Sequence, residues 1–164
     1  MTMPHTAILL AAFLFAGTCL PAAPPYHGPR PEKPDMLYLM HADNLVETEQ
    51  QTATEERKGS GKKAAVTYVV AGAASPVKTP LASPIFMMQV KAIDATRLEA
   101  YRMESRDGRR QIVLTSKKQG HGITLTVTPI EDGLYRVEVE DSLPNGEYVI
   151  TPGGSNLVFG FAVY

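Results

Sequence analysis

Four side chains in the sequence have the chemistry of a soft metal site. Met40 and His41 are adjacent, and Met87 and Met88 form a second adjacent pair further along the chain. Thioether sulfur and imidazole nitrogen suit copper, so strands that brought these pairs together would form a copper site. Their spacing matches no specific ligand motif, and methionine in an apolar strand usually fills gaps in a core. Copper binding is therefore the alternative hypothesis.

The residue types needed for nucleophilic catalysis are poorly represented. Such a site needs a serine or cysteine, a histidine and a carboxylate that converge. After the N-terminal segment the histidines are His27 in a proline-rich stretch, His41, and His121 between two glycines. The sequence contains no Gly-x-Ser-x-Gly motif and no glycine-rich loop that opens a helix. We therefore expect no enzyme activity, no catalytic or cofactor-binding residues and no cofactor.

The composition is typical of one globular domain. The chain has 164 residues, of which 44% are hydrophobic and 20% are charged, and its net charge is -1. A protein that binds the phosphate backbone usually carries a basic face. The sequence therefore predicts no nucleic-acid partner.

The N-terminal segment predicts export. Residues 7–17 form an uninterrupted apolar run, shorter than the ~20 residues of a membrane-spanning helix, and small residues and prolines follow it. This pattern is typical of a signal peptide over residues 1–22, with cleavage after Ala22 or Cys19. We expect a secreted or periplasmic protein. It would contact a membrane only through an uncleaved signal or through lipidation of Cys19, whose flanking residues match a lipobox poorly.

A proline-rich stretch separates this signal from the predicted domain. Residues 23–35 include several prolines, which fix φ and lack a backbone donor, so an extended and solvated conformation is favoured. We interpret this stretch as a tether. The folded domain is predicted to span residues 36–164.

Short strands separated by turns account for the predicted domain. Residues 85–90 are apolar on both faces, which indicates a central strand, whereas the polar stretch 41–63 fits an edge strand. Asp107-Gly108 separates two strand-like runs and predicts a hairpin, whose flanking arginines, including Arg110, we expect to face solvent. The remaining strand predictions are residues 36–40, 65–71, 98–104, 110–116, 123–128 and the alternating run that ends at Glu140.

The last part of the chain predicts the layer that closes the core. In a strand, Leu157, Phe159, Phe161 and Val163 share one face, because successive side chains alternate. No long helical pattern competes with the strands. The fold class is therefore all-β, an antiparallel sandwich of roughly seven to nine strands, with a small barrel as the open alternative.

One corner carries a resemblance to a known fold family. The segment with Leu143, Gly146 and Tyr148 (LPNGEY) resembles the tyrosine corner of immunoglobulin-like and fibronectin type III sandwiches. The resemblance implies an immunoglobulin-like arrangement in which these three residues have a structural role. The cysteine pair and core tryptophan of antibody domains are absent. The whole chain is also similar to small secreted bacterial proteins, a likeness that implies no activity.

A non-catalytic, exported binding or structural module of the cell envelope or exterior is the function that we expect from these patterns. Its partner would be a protein or glycan whose identity the sequence does not give. The alternatives are a periplasmic copper-binding protein and a small barrel that holds an apolar ligand. The barrel would need a cavity of at least ~300 Å³.

Overall fold

The computed structural model describes residues 25–60, 65–115 and 122–164. The predicted signal peptide and its cleavage and lipidation sites lie outside these ranges. Within them the chain forms thirteen strands and one short 3-10 turn, Ala95–Arg97. No helix in the described ranges is sufficiently long and apolar to span a bilayer.

The strands are numbered in chain order. The first seven are β1 (Leu37–His41), β2 (Asn44–Glu47), β3 (Glu49–Thr52), β4 (Thr54–Lys58), β5 (Ala65–Ala71), β6 (Lys78–Thr79) and β7 (Ile85–Gln89). The other six are β8 (Leu98–Arg106), β9 (Arg109–Thr115), β10 (Leu125–Glu131), β11 (Leu134–Val139), β12 (Gly146–Pro152) and β13 (Leu157–Val163).

Two sheets contain all of these strands. The smaller has the order β10-β11-β7-β1-β2, and the larger has the order β3-β13-β12-β8-β9-β5-β4. The pairings are antiparallel, except that the two-residue β6 runs parallel to β13. The predicted all-β antiparallel sandwich is confirmed, and β7 is central as predicted. The strand count exceeds the expected one, partly because the polar stretch predicted as one edge strand forms β2, β3 and β4.

A first core lies between the two sheets. Phe86 of β7 meets Phe161 of β13 edge to face, with ring centroids 5.0 Å apart. Tyr148 of β12 stacks on the same Phe161 ring at 5.6 Å. Phe159, Phe161 and Val163 are only 0%, 1% and 5% exposed. The predicted apolar face of the last strand is therefore confirmed, and its burial contributes to the hydrophobic stabilisation of the sandwich.

The larger sheet also closes on itself. Its two end strands, β3 and β4, are consecutive in the chain and are separated only by Ala53. Ala53 donates its backbone N–H to Asn156 O at 2.7 Å, beside the end of the β3–β13 pairing. The chain thus leaves one edge of the sheet and enters the other, so the sheet curls into a small barrel. The structure is a sandwich in which one layer is a barrel.

A second core lies inside this barrel. It contains Ala53, Val70, Met103, Val149 and Val158, all of them buried. In β12, Val149 points into the barrel, whereas its neighbours Tyr148 and Ile150 belong to the core between the sheets. Because β12 and β13 are buried on both faces, they connect the two cores.

Local turns are formed by residues suited to them. Asp107 and Gly108 join β8 to β9 with φ values of 52° and 75°. Positive φ at both central residues is the geometry of a type I′ turn, and the predicted hairpin is confirmed.

At the entry to β12, Tyr148 Oη donates to Pro144 O at 2.5 Å, and Leu143 is buried nearby. A Cβ on Gly146 would lie 3.2 Å from the Arg102 guanidinium, so glycine leaves room for it.

Residues 25–35 make polar contacts with the domain, and the tether stays a prediction from the sequence. Arg30 pairs with Glu131 at 2.7 Å. The Asp35 carboxylate accepts the backbone N–H groups of residues 91, 92 and 93 at 2.8–3.1 Å. These polar and charged groups find partners on the domain, which a proline count alone does not show. The boundary at residue 36 stays a prediction.

Candidate functional site

An open pocket occupies one end of the barrel. Its volume is about 250 Å³. Side chains of the barrel core form its floor, among them Val70, Met103, Val149 and Val158. Glu55, Glu99, Tyr68, Tyr101, Thr151, Ser155 and Asn156 complete the polar part of the wall and rim. The site is therefore an apolar cup with a polar mouth.

The register of the barrel strands explains this division. Tyr101 is paired with Val149, Glu99 with Thr151, and Glu55 with Tyr68. Paired residues share a face, so each strand places an apolar residue in the barrel interior and a polar or aromatic one nearer the mouth.

An ion pair fills the other end of the barrel interior. Arg110 is fully buried, and its two terminal nitrogens donate to the carboxylate of Glu49 at 2.6 and 2.8 Å. Its guanidinium also donates to Gly72 O at 3.0 Å and to Ala71 O at 2.8 Å. Glu147 lies 3.7 Å away. The buried charge is thus paired and hydrogen-bonded, as a low-dielectric site requires.

The environment of Glu49 is set by this ion pair and by a close glycine. Burial raises the pKa of Glu49, but the hydrogen bonds and charge of Arg110 outweigh burial, so the pKa lies below its usual value. A Cβ on Gly160 would lie 2.7 Å from Glu49 Oε2. Glycine at this position therefore leaves the space that the carboxylate occupies.

Two carboxylates and two phenol rings determine the electrostatics of the mouth. Tyr101 Oη donates to Glu99 Oε2 at 2.7 Å. Burial, and then the hydrogen bond and charge of Glu99, raise the pKa of Tyr101 to about 12. Glu55 pairs with Arg57, whose side chain is exposed. The lining of the mouth therefore places two carboxylates beside two phenol groups.

The four candidate metal ligands do not share a site. Cross-strand partners share a face, which places Met88 with Leu37 and Met87 with Tyr38 on opposite faces of the smaller sheet. Met87 and Met88 are 1% and 0% exposed. Met40 and His41 also alternate in β1, so no more than one residue of each adjacent pair can reach a given ion.

The surroundings of His41 do not indicate a metal site either. His41 Nε2 lies 3.1 Å from Thr79 Oγ1, a hydrogen bond that ties β1 to β6. Among the described residues, no group of three or more His, Cys, Asp or Glu side chains is arranged to hold a metal ion. Copper binding stays a prediction from the sequence.

The pocket residues and the buried ion pair were not predicted from the sequence. Arg110 was expected at a solvated hairpin end, and that expectation is wrong because the side chain points into the barrel and meets Glu49. The sequence did contain one indication of this burial. Arg110 lies two residues before the apolar Ile112, so in a strand the two side chains share a face. The residues around Glu55 and Glu99 give no indication of a shared site, because only the closure of the barrel brings these two side chains to the mouth of the same pocket.

Comparison of the chain with protein-family models, curated proteins and solved structures found no match. Functional inference therefore rests on the pocket itself, on its apolar floor and on its acidic, aromatic rim.

Proposed function

We propose that this chain is a non-catalytic binding module, exported to the cell envelope or exterior, that holds a small ligand in the mouth of its barrel. The observation that carries the proposal is the pocket of about 250 Å³ with an apolar floor and a polar rim. Ligand sites in small barrels and clefts commonly combine an apolar lining with a few polar groups that orient the ligand.

The barrel wall makes the pocket a preformed site. Five strands of the wall, β5, β8, β9, β12 and β13, are paired on both sides, and β3 continues into β4 through Ala53. The buried Arg110–Glu49 pair lies at the end opposite the mouth. A ligand would meet a rigid cup and would release water from apolar surface without paying for a folding transition. Binding is therefore expected to change the backbone little.

The volume of about 250 Å³ lies below the ~300 Å³ that a barrel enclosing an apolar ligand was expected to need, so that alternative is not favoured. The pocket is open at the mouth, so a ligand can extend beyond the enclosed part. The proposal is consequently limited to a small ligand, or to a ligand whose polar end remains at the rim.

Export and an immunoglobulin-like relationship belong to the same proposal. The apolar run at residues 7–17 supports export, and the Tyr148–Pro144 hydrogen bond supports the relationship to sandwiches with a tyrosine corner. A protein or glycan of the envelope as a further partner remains a separate prediction from the sequence.

A pair of asparagine variants tests the proposed binding element. Asn156 is exposed and lines the mouth, so Asn156→Trp should cover the pocket. Asn145 is exposed beside the corner that leads into β12, and Asn145→Trp is the matched control. In a thermal-shift screen of small amphiphilic compounds, hits should stabilise the unaltered protein and the control but not Asn156→Trp.

The thermal stabilisation that a ligand produces depends on the ratio of its concentration to its Kd. A ligand at about 100 times its Kd stabilises the fold by about 2.7 kcal/mol. Hits that stabilise both tryptophan variants equally, or a complete lack of hits, would contradict binding in this pocket.

A further inference from the structure

We infer that the pocket takes a small organic cation, an amine or quaternary ammonium group attached to a short apolar body. This inference deepens the proposed function and rests on it. The apolar body would occupy the floor of the barrel cup, and the ammonium group would remain at the mouth between Glu55, Glu99 and the two tyrosine rings.

The volume sets the size of the ligand. An apolar cavity of about 150 Å³ accommodates benzene, which has six heavy atoms. At the same density the pocket of about 250 Å³ accommodates about ten heavy atoms. An alkyl chain of roughly eight carbons with one polar end group matches this size.

The charge of the lining sets the sign of the ligand. Glu55 and Glu99 line the pocket, and no lysine or arginine among the described residues does. The nearest cations are outside the lining. Arg57 pairs with Glu55 through a side chain that is 76% exposed, and the exposed Arg97 has its guanidinium 4.0 Å from a Cβ built on Gly154. Because the Arg57 side chain is mostly exposed, its pair with Glu55 is screened by solvent, so Glu55 remains available to a bound cation.

The aromatic rings at the mouth favour the same ligand. Tyr68 and Tyr101 both line the pocket. The face of a phenol ring attracts an ammonium group, particularly where water is partly excluded. The Tyr101 hydroxyl donates to Glu99, which orients that carboxylate and leaves its other oxygen without a hydrogen-bond partner among the described residues. An anionic ligand would instead meet two carboxylates without any positive group in the lining.

Isothermal titration calorimetry with three probes of equal chain length tests the inference on the unaltered protein. The probes are n-octylammonium, 1-octanol and octanoate. At low ionic strength we expect n-octylammonium to bind about tenfold more tightly than 1-octanol, and octanoate to bind most weakly. The preference for n-octylammonium over 1-octanol should shrink when added salt shortens the Debye length from about 30 Å to about 3 Å.

Two double variants with the same charge change localise the effect. Glu55→Gln with Glu99→Gln should reduce the preference for n-octylammonium over 1-octanol to less than about twofold. Glu56→Gln with Glu104→Gln is the matched control, because these residues lie on the same strands β4 and β8 but on the opposite face. The control should keep the full preference.

The outcomes separate the inference from the function on which it rests. Equal binding of n-octylammonium and 1-octanol, abolished by Asn156→Trp, would overturn the inference and leave the pocket as a binding site. A cation preference that survives in the Glu55/Glu99 variant would also overturn it. If none of the three probes binds, both the inference and the proposed function fail. The probe and salt comparisons need no variant, so they remain decisive even where a variant does not fold.

Discussion

Arg109 and Arg110 are neighbours in β9 and occupy opposite environments. The Arg110 side chain is 0% exposed and binds Glu49 inside the barrel, whereas the Arg109 side chain is 41% exposed and pairs with Glu56 on the outer face. Alternation along the strand accounts for the difference. The same residue type therefore has a structural role at one position and a minor one at the next.

Replacement of these two arginines by alanine should give very different losses of stability. Arg110→Ala leaves Glu49 buried without its partner and should lower the free energy of unfolding by about 3–5 kcal/mol. Arg109→Ala removes an exposed pair and should cost less than about 1 kcal/mol. Urea denaturation followed by circular dichroism measures both. Similar losses for the two variants would show that Arg110 is not the buried ion-pair partner.

Tyr101 should titrate at an unusually high pH. Its pKa rises from an ordinary value of 10.0 to about 12, because burial and then Glu99 disfavour the phenolate. A raised pKa in the folded state contributes stability that is present below pH 10 and is lost as the pH rises from about 10 to about 12.

Spectrophotometric titration of tyrosinate absorbance checks this expectation. The difference between the unaltered protein and Tyr101→Phe should show one phenol that ionises near pH 12. The stability difference between the two proteins should narrow across the same alkaline range. A difference spectrum that titrates near pH 10 would mean that Tyr101 is exposed to solvent.

Among single elements, β12 is fixed at its start by a hydrogen bond between Tyr148 and Pro144. Tyr148 Oη donates to Pro144 O, and the ring stacks on Phe161 in the core between the sheets. Tyr148→Phe keeps the ring and removes the hydrogen bond, so we expect a loss of about 0.5–1.5 kcal/mol. The control is Tyr164→Phe, at the exposed C-terminal residue, which should stay within about 0.5 kcal/mol. Equal effects in chemical denaturation would show that the corner hydrogen bond contributes nothing.

The bounds of some strands were predicted correctly from the sequence, and those of others were not. The run at residues 65–71 was predicted with the bounds that β5 has, since β-branched residues fill it. The stretch 41–63 was predicted as one edge strand, yet it contains β2, β3 and β4. Because most side chains in this stretch are polar, the sequence shows no alternation of apolar and polar residues from which the strand pairing could be predicted. Which edge each short strand joins depends on strands distant in the chain.

At the scale of the whole molecule, two hydrophobic cores share strands β12 and β13. Val149 faces the barrel core and Ile150 faces the core between the sheets, although the two residues are adjacent. Loss of either core would expose one face of the same strands. We therefore expect the barrel and the sandwich to unfold together.

Calorimetry of two alanine variants tests this coupling. Ile150→Ala should cost about 2–5 kcal/mol, and Val149→Ala about 2 kcal/mol, because each leaves a cavity in its core. Both should lower the temperature of one common transition. Two separate endotherms, with each variant shifting a different one, would contradict a single cooperative unit.

The candidate site was less predictable than the fold. Met40, His41, Met87 and Met88 were chosen for their chemistry and adjacency, but adjacency in a strand places two side chains on opposite faces. Glu55 and Glu99 are 44 positions apart in the sequence and line one mouth. Nothing local in either segment indicates the other.

The amino-acid pattern alone was enough to predict that the chain is all-β, where its central and last strands lie, and which faces of those strands are apolar. These properties follow from the two-residue alternation of a strand and from turn residues, both of which act over a few neighbours. The bend at Ala53, which joins the two edges of one sheet, could be recognised only from the fold. That closure buries Arg110 and assembles the pocket, because it depends on pairings between segments distant in the chain.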